Sequence, residues 1–412
     1  MEKDSSRTGK RTCIVLIAVI AAVILTGALL CACRADRDDA GNDGGSSEEA
    51  AEQTEEASET APRAVLLFAS DYQEGGYPLP DETFASLLHA AKEDGKQITN
   101  VIMCGDYSNV SGYSDHQIAP DEYIEEIRRL ISEGAGDVSQ DDVIFVQGNH
   151  DAMSDAISES GLHEYKDYLV YVLNTESDYP WTQGDGPEKK DTVMRAARDL
   201  RECLDGLAAS GETRPVFIAG HVPLHFTART SSVHSTGDNM YAGYIFDAVN
   251  EAAGSLDVIY VFGHNHSNSW DSYLGGSCVY KSAGDTVLIP AAGESTAYTD
   301  EYSEEKLNFT YMNAGFTGYY HSGGTDTDDA LTCTVAEIYG DRIVITRYDA
   351  EGMHLLCGSG TAGPEGELIG PEHYSRETAG PVIIKRKSVF KSGTIKEDGT
   401  DDKKDKEEKD AA

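Results

Sequence analysis

Five short apolar runs, each closed by polar groups, constrain this chain more than any other feature of its 412 residues. "AVLLFAS" (64–70) ends at Asp71, and "ITNVIMC" (98–104) ends at Gly105-Asp106. "DVIFVQ" (142–147) ends at Gly148-Asn149-His150-Asp151, "PVFIA" (215–219) at Gly220-His221, and "DVIYVF" (257–262) at Gly263-His264-Asn265-His266. Runs this short, β-branched and bounded by glycine or polar residues predict fully buried strands. Between them, residues 82–93, 120–133, 191–209 and 241–253 carry apolar side chains at helical spacing. Strand alternating with helix predicts a layered α/β domain. Four later segments, 285–292, 308–315, 330–338 and 341–349, read as consecutive strands and predict a second, more antiparallel sheet.

In open α/β folds, ligands bind at the carboxyl ends of the strands. One polar turn there is ordinary. Five in order, bearing Asp, Asp, Asn-His, His and His-x-His, point to a shared site. Oxygen and imidazole donors without thiolate suit Mn, Fe, Zn, Ni or Co. Two such ions about 3.5–4 Å apart can share a carboxylate and a hydroxide, and can spread the charge that builds up when phosphorus is attacked.

The order of these motifs resembles the calcineurin-like metallophosphoesterase family. It stands here as Asp71-Tyr72-Gln73, Gly105-Asp106-Tyr107, Gly148-Asn149-His150-Asp151, Gly220-His221-Val222-Pro223 and Gly263-His264-Asn265-His266. The match runs over roughly 64–292. The resemblance implies a four-layer αββα sandwich and a dinuclear centre of two divalent transition-metal ions. It implies that Asp106 bridges the ions, that Asp71, Gln73 and His266 complete the first site, and that Asn149, His221 and His264 complete the second. His150 would be the general acid at the leaving oxygen, with Asp151 orienting it. Gln73 departs from the pattern, which usually has histidine there; an amide oxygen is a neutral and poorer donor. Among loop residues, His225 and His234 are candidates for contact with substrate phosphate, and Trp270 and "GFTGYYH" (315–321) for lining a pocket; plain exposure or packing is the commoner role of each.

The two ends do not read as globular. Residues 12–33 carry no charge over a length that spans a bilayer as a helix. Lys3, Arg7, Lys10 and Arg11 precede this stretch, which predicts a cytoplasmic N-terminus and a domain facing the extracytoplasmic side of the cell membrane. An uncleaved signal anchor and a lipoprotein signal with Cys33 as the lipidated residue both fit, and the length of the run favours the anchor. Residues 34–61 are acidic and small, predicting a disordered linker. The globular domain is expected over 62–384, with 385–412 a disordered tail of mixed charge. The net charge is −39. Because the first 33 residues and the tail are nearly balanced, the acidity belongs to the linker and above all to 62–384. Such a surface disfavours nucleic-acid polymers. Cys104, Cys203, Cys278, Cys333 and Cys357 lie in the domain without a C-x-x-C, so neither a disulfide framework nor a zinc-thiolate site is indicated.

The expected function is thus a membrane-tethered, extracytoplasmic hydrolase of phosphoesters. The alternative is a weakly active or inactive phosphate-binding protein on the same fold. Substrate identity, monoester against diester, metal identity and oligomeric state are left open by the sequence.

Overall fold

The computed structural model describes residues 60–73, 80–108, 118–175, 187–224, 241–264, 280–290, 302–318, 331–349, 354–355 and 381–387. All lie in the unit Ser58–Ala412. The chain begins with β1 (Ala64–Ala69), α1 (Pro80–Glu93), β2 (Asn100–Met103), α2 (Asp121–Gly134) and β3 (Val143–Phe145). There follow β4 (Gly161–Glu164), β5 (Leu169–Leu173), α3 (Pro187–Ser210), β6 (Val216–Gly220), α4 (Gly243–Ala252) and β7 (Val258–Phe262). The rest is strand: β8 (Tyr280–Lys281), β9 (Thr286–Pro290), β10 (Tyr302–Lys306), β11 (Thr310–Asn313), β12 (Gly315–Phe316), β13 (Thr332–Ile338), β14 (Arg342–Asp349), β15 (His354–Leu355) and β16 (Val382–Lys385).

Local sequence accounts for these elements. In α1, Phe84, Leu87, Leu88 and Ala91 fall on one buried face, while Asp81 and Glu82 in the first turn and Lys92 in the last complement the helix dipole. In α2 the buried face is Ile124, Ile127, Leu130 and Ile131. Every residue of β1 is buried, so its alternating side chains must be covered on both sides.

Two mixed sheets provide that cover. The first has the order β15-β14-β13-β1-β2-β3, with β12 paired to β13 and β16 to β14. Strands β1, β2 and β3 are parallel, and β13 runs antiparallel to β1 with Leu66 opposite Ala336. The second has the order β4-β5-β6-β7-β11-β8, parallel from β5 to β11 with antiparallel edges. One face of the first sheet, with Leu66, Phe68, Ile102 and Ile144, shares a core with the second sheet and with α3 and α4. There the Phe68 ring lies 5.5 Å from that of Phe217. The other face, with Val65, Leu67, Val101 and Phe145, packs under α1 and α2. Helices, sheet, sheet and helices make the expected four αββα layers.

Three expectations are corrected. The late strands do not form a sheet of their own: β13 and β14 extend the first sheet from β1, β11 joins the second beside β7, and among the described residues only β9 and β10 pair apart. The reason is burial, since β1 and β7 each have an open flank after their parallel neighbours are placed, and β13 and β11, buried along their whole length, fill it. Strands β4 and β5 were not expected. They add an antiparallel hairpin to β6, with Leu162 opposite Tyr171. Finally, β16 runs to Lys385, and Arg386 and Lys387 after it pack on the same fold. Arg386 is buried, donating to the carbonyls of Tyr339 and Gly340, each at 3.2 Å.

Among the described residues no helix is long and apolar enough to cross a membrane. Residues 12–33 lie outside the described residues. Cys104 and Cys333 are buried free thiols, and Cys203 is half-buried.

Candidate metal centre

The motif glycines let the strand exits close on one another. A Cβ on Gly148 would overlap the backbone nitrogen and Oδ1 of Asp106. A Cβ on Gly105 would lie 2.7 Å from both the Gly148 Cα and the His221 Nδ1. Bare α-carbons therefore bring the Asp106 turn, the Asn149 turn and His221 to one point. The backbone there is strained as well. Among the described residues five non-glycine positions have left-handed φ, and four are candidate ligands: Asp71 (52°), Gln73 (43°), Asp106 (57°) and His264 (70°). Each such position costs on the order of 1–3 kcal/mol and persists only where its surroundings hold it.

Asp106 is the hub. Its Oδ1 accepts the backbone N–H of His150 at 2.9 Å, and its Oδ2 lies 3.2 Å from the Nε2 of His221 and 3.8 Å from that of His150. Gln73 donates its backbone N–H to the Asp106 carbonyl at 3.0 Å and its Nε2–H to Oδ2 at 3.5 Å. The Oδ1 of Asn149 sits 2.9 Å from both the Nε2 of His221 and the Nδ1 of His264. Asp71 accepts the backbone N–H of His264 on Oδ2 at 2.8 Å. Asp106, His221 and His264 each offer one donor atom, all within 4.8 Å of one another. Asp71, Gln73, Asp106, Asn149, His150, His221 and His264 are thus brought together. His266, His225, His234 and Trp270 lie outside the described residues.

His221 decides what the cluster can hold. Its Nδ1 lies 2.6 Å from the Cys104 carbonyl, which can only accept, so this nitrogen carries the hydrogen. In the neutral ring Nε2 then presents a lone pair to two oxygens, Asp106 Oδ2 and Asn149 Oδ1. Three acceptors converging in a buried site call for a cation. One carboxylate, one amide oxygen and imidazole nitrogens, with the histidine tautomer set by a backbone carbonyl, suit a divalent transition-metal ion. The charges respond accordingly. With a proton on Nε2 in that cation's place, burial opposes the charge on His221, yet Asp106 together with Asp71 and the Cys104 carbonyl outweighs burial and lifts its pKa to about 10. Burial likewise works against the Asp106 carboxylate, but His221 and His150 hold it well below the usual range.

Asp151 has a different setting from the one expected. It accepts from the backbone N–H groups of Asp106 at 2.7 Å, Tyr107 at 3.0 Å, Ser108 at 3.2 Å and Gly148 at 3.1 Å, and from the Ser108 hydroxyl at 3.2 Å. One buried carboxylate thus ties the Asp106 turn to the Asn149 turn. Burial and the neighbouring Asp106 charge push Asp151 up to about 7, against the amide donors that favour its ionised form. Sequence reasoning also missed the Cys104 carbonyl that sets the His221 tautomer. A backbone acceptor leaves no mark on residue type, so no signal was there to find.

Residues 65–268 match the family model described as calcineurin-like phosphoesterase. No curated protein matches the chain in sequence. Among solved structures, the chain is similar to a purple acid phosphatase from yellow lupin seeds (Lupinus luteus), at 11% identity and a TM-score of 0.38. That alignment covers 74% of this chain and 52% of the lupin chain, so the chain spans about half of that relative. It is also similar to Vacuolar Protein Sorting 29 from Cryptosporidium parvum, at 11% identity and a TM-score of 0.28, covering 78% of this chain and 97% of that one. A predicted phosphoesterase from Streptococcus pneumoniae gives 11% identity and a TM-score of 0.26, covering 78% and 98%.

Proposed function

The chain belongs, over residues 65–268, to the calcineurin-like phosphoesterase family, and from that premise we propose that it hydrolyses phosphoesters with a dinuclear metal centre. The observation that carries the reading is the convergence of Asp106 Oδ2 and Asn149 Oδ1 on the Nε2 of His221, at 3.2 Å and 2.9 Å. Asp71, Gln73 and His266 would hold one ion, Asn149, His221 and His264 the other, and Asp106 would serve both. Divalent ions, when bound, supply Lewis-acid stabilisation of charge on the phosphoryl oxygens and acidify water.

The side chains do the rest. His150 is the one member of the G-N-H-D turn whose ring reaches solvent, with its side chain 22% exposed. A proton carried on its Nε2 can pass to the departing ester oxygen. Asp151 keeps the turns of Asp106 and Asn149 in register through their amides. His225 is proposed as a contact for substrate phosphate. The acidity of the domain supports a small phosphoester substrate over a nucleic-acid polymer.

Membrane tethering belongs to the same proposal. The uncharged stretch 12–33, basic residues before it and the acidic 34–61 linker after it support a domain held outside the cytoplasm. Protease added to intact cells, with any outer envelope layer made permeable, would then release a soluble fragment by cutting the linker. Cleavage only after lysis of the cell membrane would reverse the topology.

A second reading rests on Gln73, whose neutral amide stands where an imidazole is usual: a phosphate-binding protein with little turnover. The full chain in detergent micelles, stripped of metal and resupplied with Mn, Zn, Ni or Fe, separates the two on a panel of phosphomonoesters and phosphodiesters. Metal-dependent turnover supports the hydrolase. Metal-dependent phosphate binding without turnover supports the second reading.

A further inference from the structure

We propose that Arg347 is a positioning residue for the metal centre, acting through Asn313 on the turns that carry His264 and Asp71; the inference rests on the reading of that centre as a metal site. Arg347 lies on β14 of the first sheet and is buried. Asn313 ends β11 of the second sheet, 34 residues away, and is buried too. The guanidinium spans the gap. Its Nη1–H donates to the Asn313 carbonyl at 3.0 Å and its Nη2–H to Asn313 Oδ1 at 3.1 Å. Its Nε–H donates to the Thr332 hydroxyl at 3.1 Å, which fixes the plane of the fork from β13.

The consequence is carried by the Asn313 amide. Oδ1 accepts from Arg347 and from the Gly315 N–H at 2.8 Å, so the orientation of the amide is set and Nδ2 must face the other way. There it donates to the Gly263 carbonyl at 3.4 Å. Gly263 immediately precedes His264, and its own N–H donates to the His221 carbonyl at 2.7 Å. The segment that leaves Asn313 reaches the first strand exit as well. After a left-handed turn at Gly315 (φ 108°), Thr317 and Gly318 donate their N–H groups to the carbonyls of Ser70 at 3.0 Å and Asp71 at 2.8 Å. Residues 313–318 thus hold both turns, and Arg347 holds residue 313. Lysine cannot replace a planar fork that makes bonds in several directions at once. Outer contacts of this kind commonly change metal affinity about 10–100-fold.

A purely structural role would lower stability alone, so the test reads the metal separately. Cobalt(II) is titrated into the metal-free full chain in detergent micelles and followed by its visible absorption, with the thermal midpoint measured on the same samples. Arg347→Lys breaks the fork. Asn313→Asp keeps the acceptor for Arg347 but removes the N–H given to Gly263. Lys96→Met is the control, since Lys96 pairs with Glu337 on the same sheet at 2.8 Å and reaches the fold through that contact. The expected result is a cobalt affinity weakened about tenfold or more in Arg347→Lys and Asn313→Asp, with a changed spectrum. Lys96→Met should lower the midpoint and leave the affinity alone. Wild-type affinity in both site variants, or an equal loss in Lys96→Met, overturns the inference. Should Arg347→Lys fail to fold, Asn313→Asp decides by the same criterion. A wild-type protein that binds no cobalt overturns the metal reading, and this inference with it.

Discussion

His221 presents its Nε2 to the Oδ2 of Asp106 at 3.2 Å, and the Cys104 carbonyl at 2.6 Å from Nδ1 determines that it is this nitrogen and not the other. The pair is the electrostatic centre of the site. Asp106→Asn removes its one shared negative charge and should leave the protein with less than one ion per chain by elemental analysis. His221→Ala should lose the ion held with Asn149 and keep the other. Retention of two ions in Asp106→Asn would place the metals elsewhere.

His150 is the proposed proton donor to the leaving oxygen. His150→Ala should lower turnover about 10²–10⁴-fold, the scale for a positioned proton donor. The deficit should shrink for nitrophenyl esters, whose leaving oxygen hardly needs a proton. A deficit equal across leaving groups would assign His150 to metal positioning instead.

Asp151 should separate cleanly from His150. An amide at this position turns donors toward the N–H groups of Asp106, Tyr107, Ser108 and Gly148, so Asp151→Asn should cost about 1–3 kcal/mol in urea unfolding. It should lower metal content and leave the leaving-group dependence as in wild type. If Asp151→Asn reproduces the leaving-group pattern of His150→Ala with unchanged stability, its work is on the imidazole after all.

Arg386 and Lys387 fasten the end of the fold. Arg386 binds the carbonyls of Tyr339, Gly340 and Thr213 and pairs with Asp257 at 3.5 Å. Lys387 gives its backbone N–H to Asp257 at 2.8 Å and its ammonium to carbonyls that include Ala253, next to the last turn of α4. Arg386→Met leaves Asp257 buried without this partner and should cost about 3 kcal/mol or more. A chain ending at Gly380, which also loses β16, should lose more. Unchanged urea midpoints in both would mean that the strand is dispensable.

What could be read from sequence follows the range of the interactions. The candidate site was legible because each candidate ligand closely follows an apolar run, and a run ending in Gly-Asp or Gly-Asn-His records both the strand and the group it delivers. The partners of β13 were not legible, since Val335 meets Leu67 across most of the chain and no periodicity encodes a partner. "LVYVL" at 169–173 was hidden behind the charged "HEYKDY" that precedes it. "VIIKRK" reads in part as tail because its basic residues suggest solvent, whereas Arg386 is buried against carbonyls that residue types do not announce. Asn313 and Arg347 carry no motif at all, and their relation to Gly263 exists only once both sheets are in place.

The most direct test of the central claim is a paired measurement of metal content and turnover on one preparation of the full chain. Stripped by chelation, the protein should show no hydrolysis of nitrophenyl phosphoesters. Its thermal midpoint should also fall, because a ligand bound only to the native state stabilises it by mass action. Adding back Mn, Zn, Ni or Fe should restore turnover in proportion to bound metal, saturating at two ions per chain. Full hydrolysis by protein shown by elemental analysis to be metal-free would contradict the account.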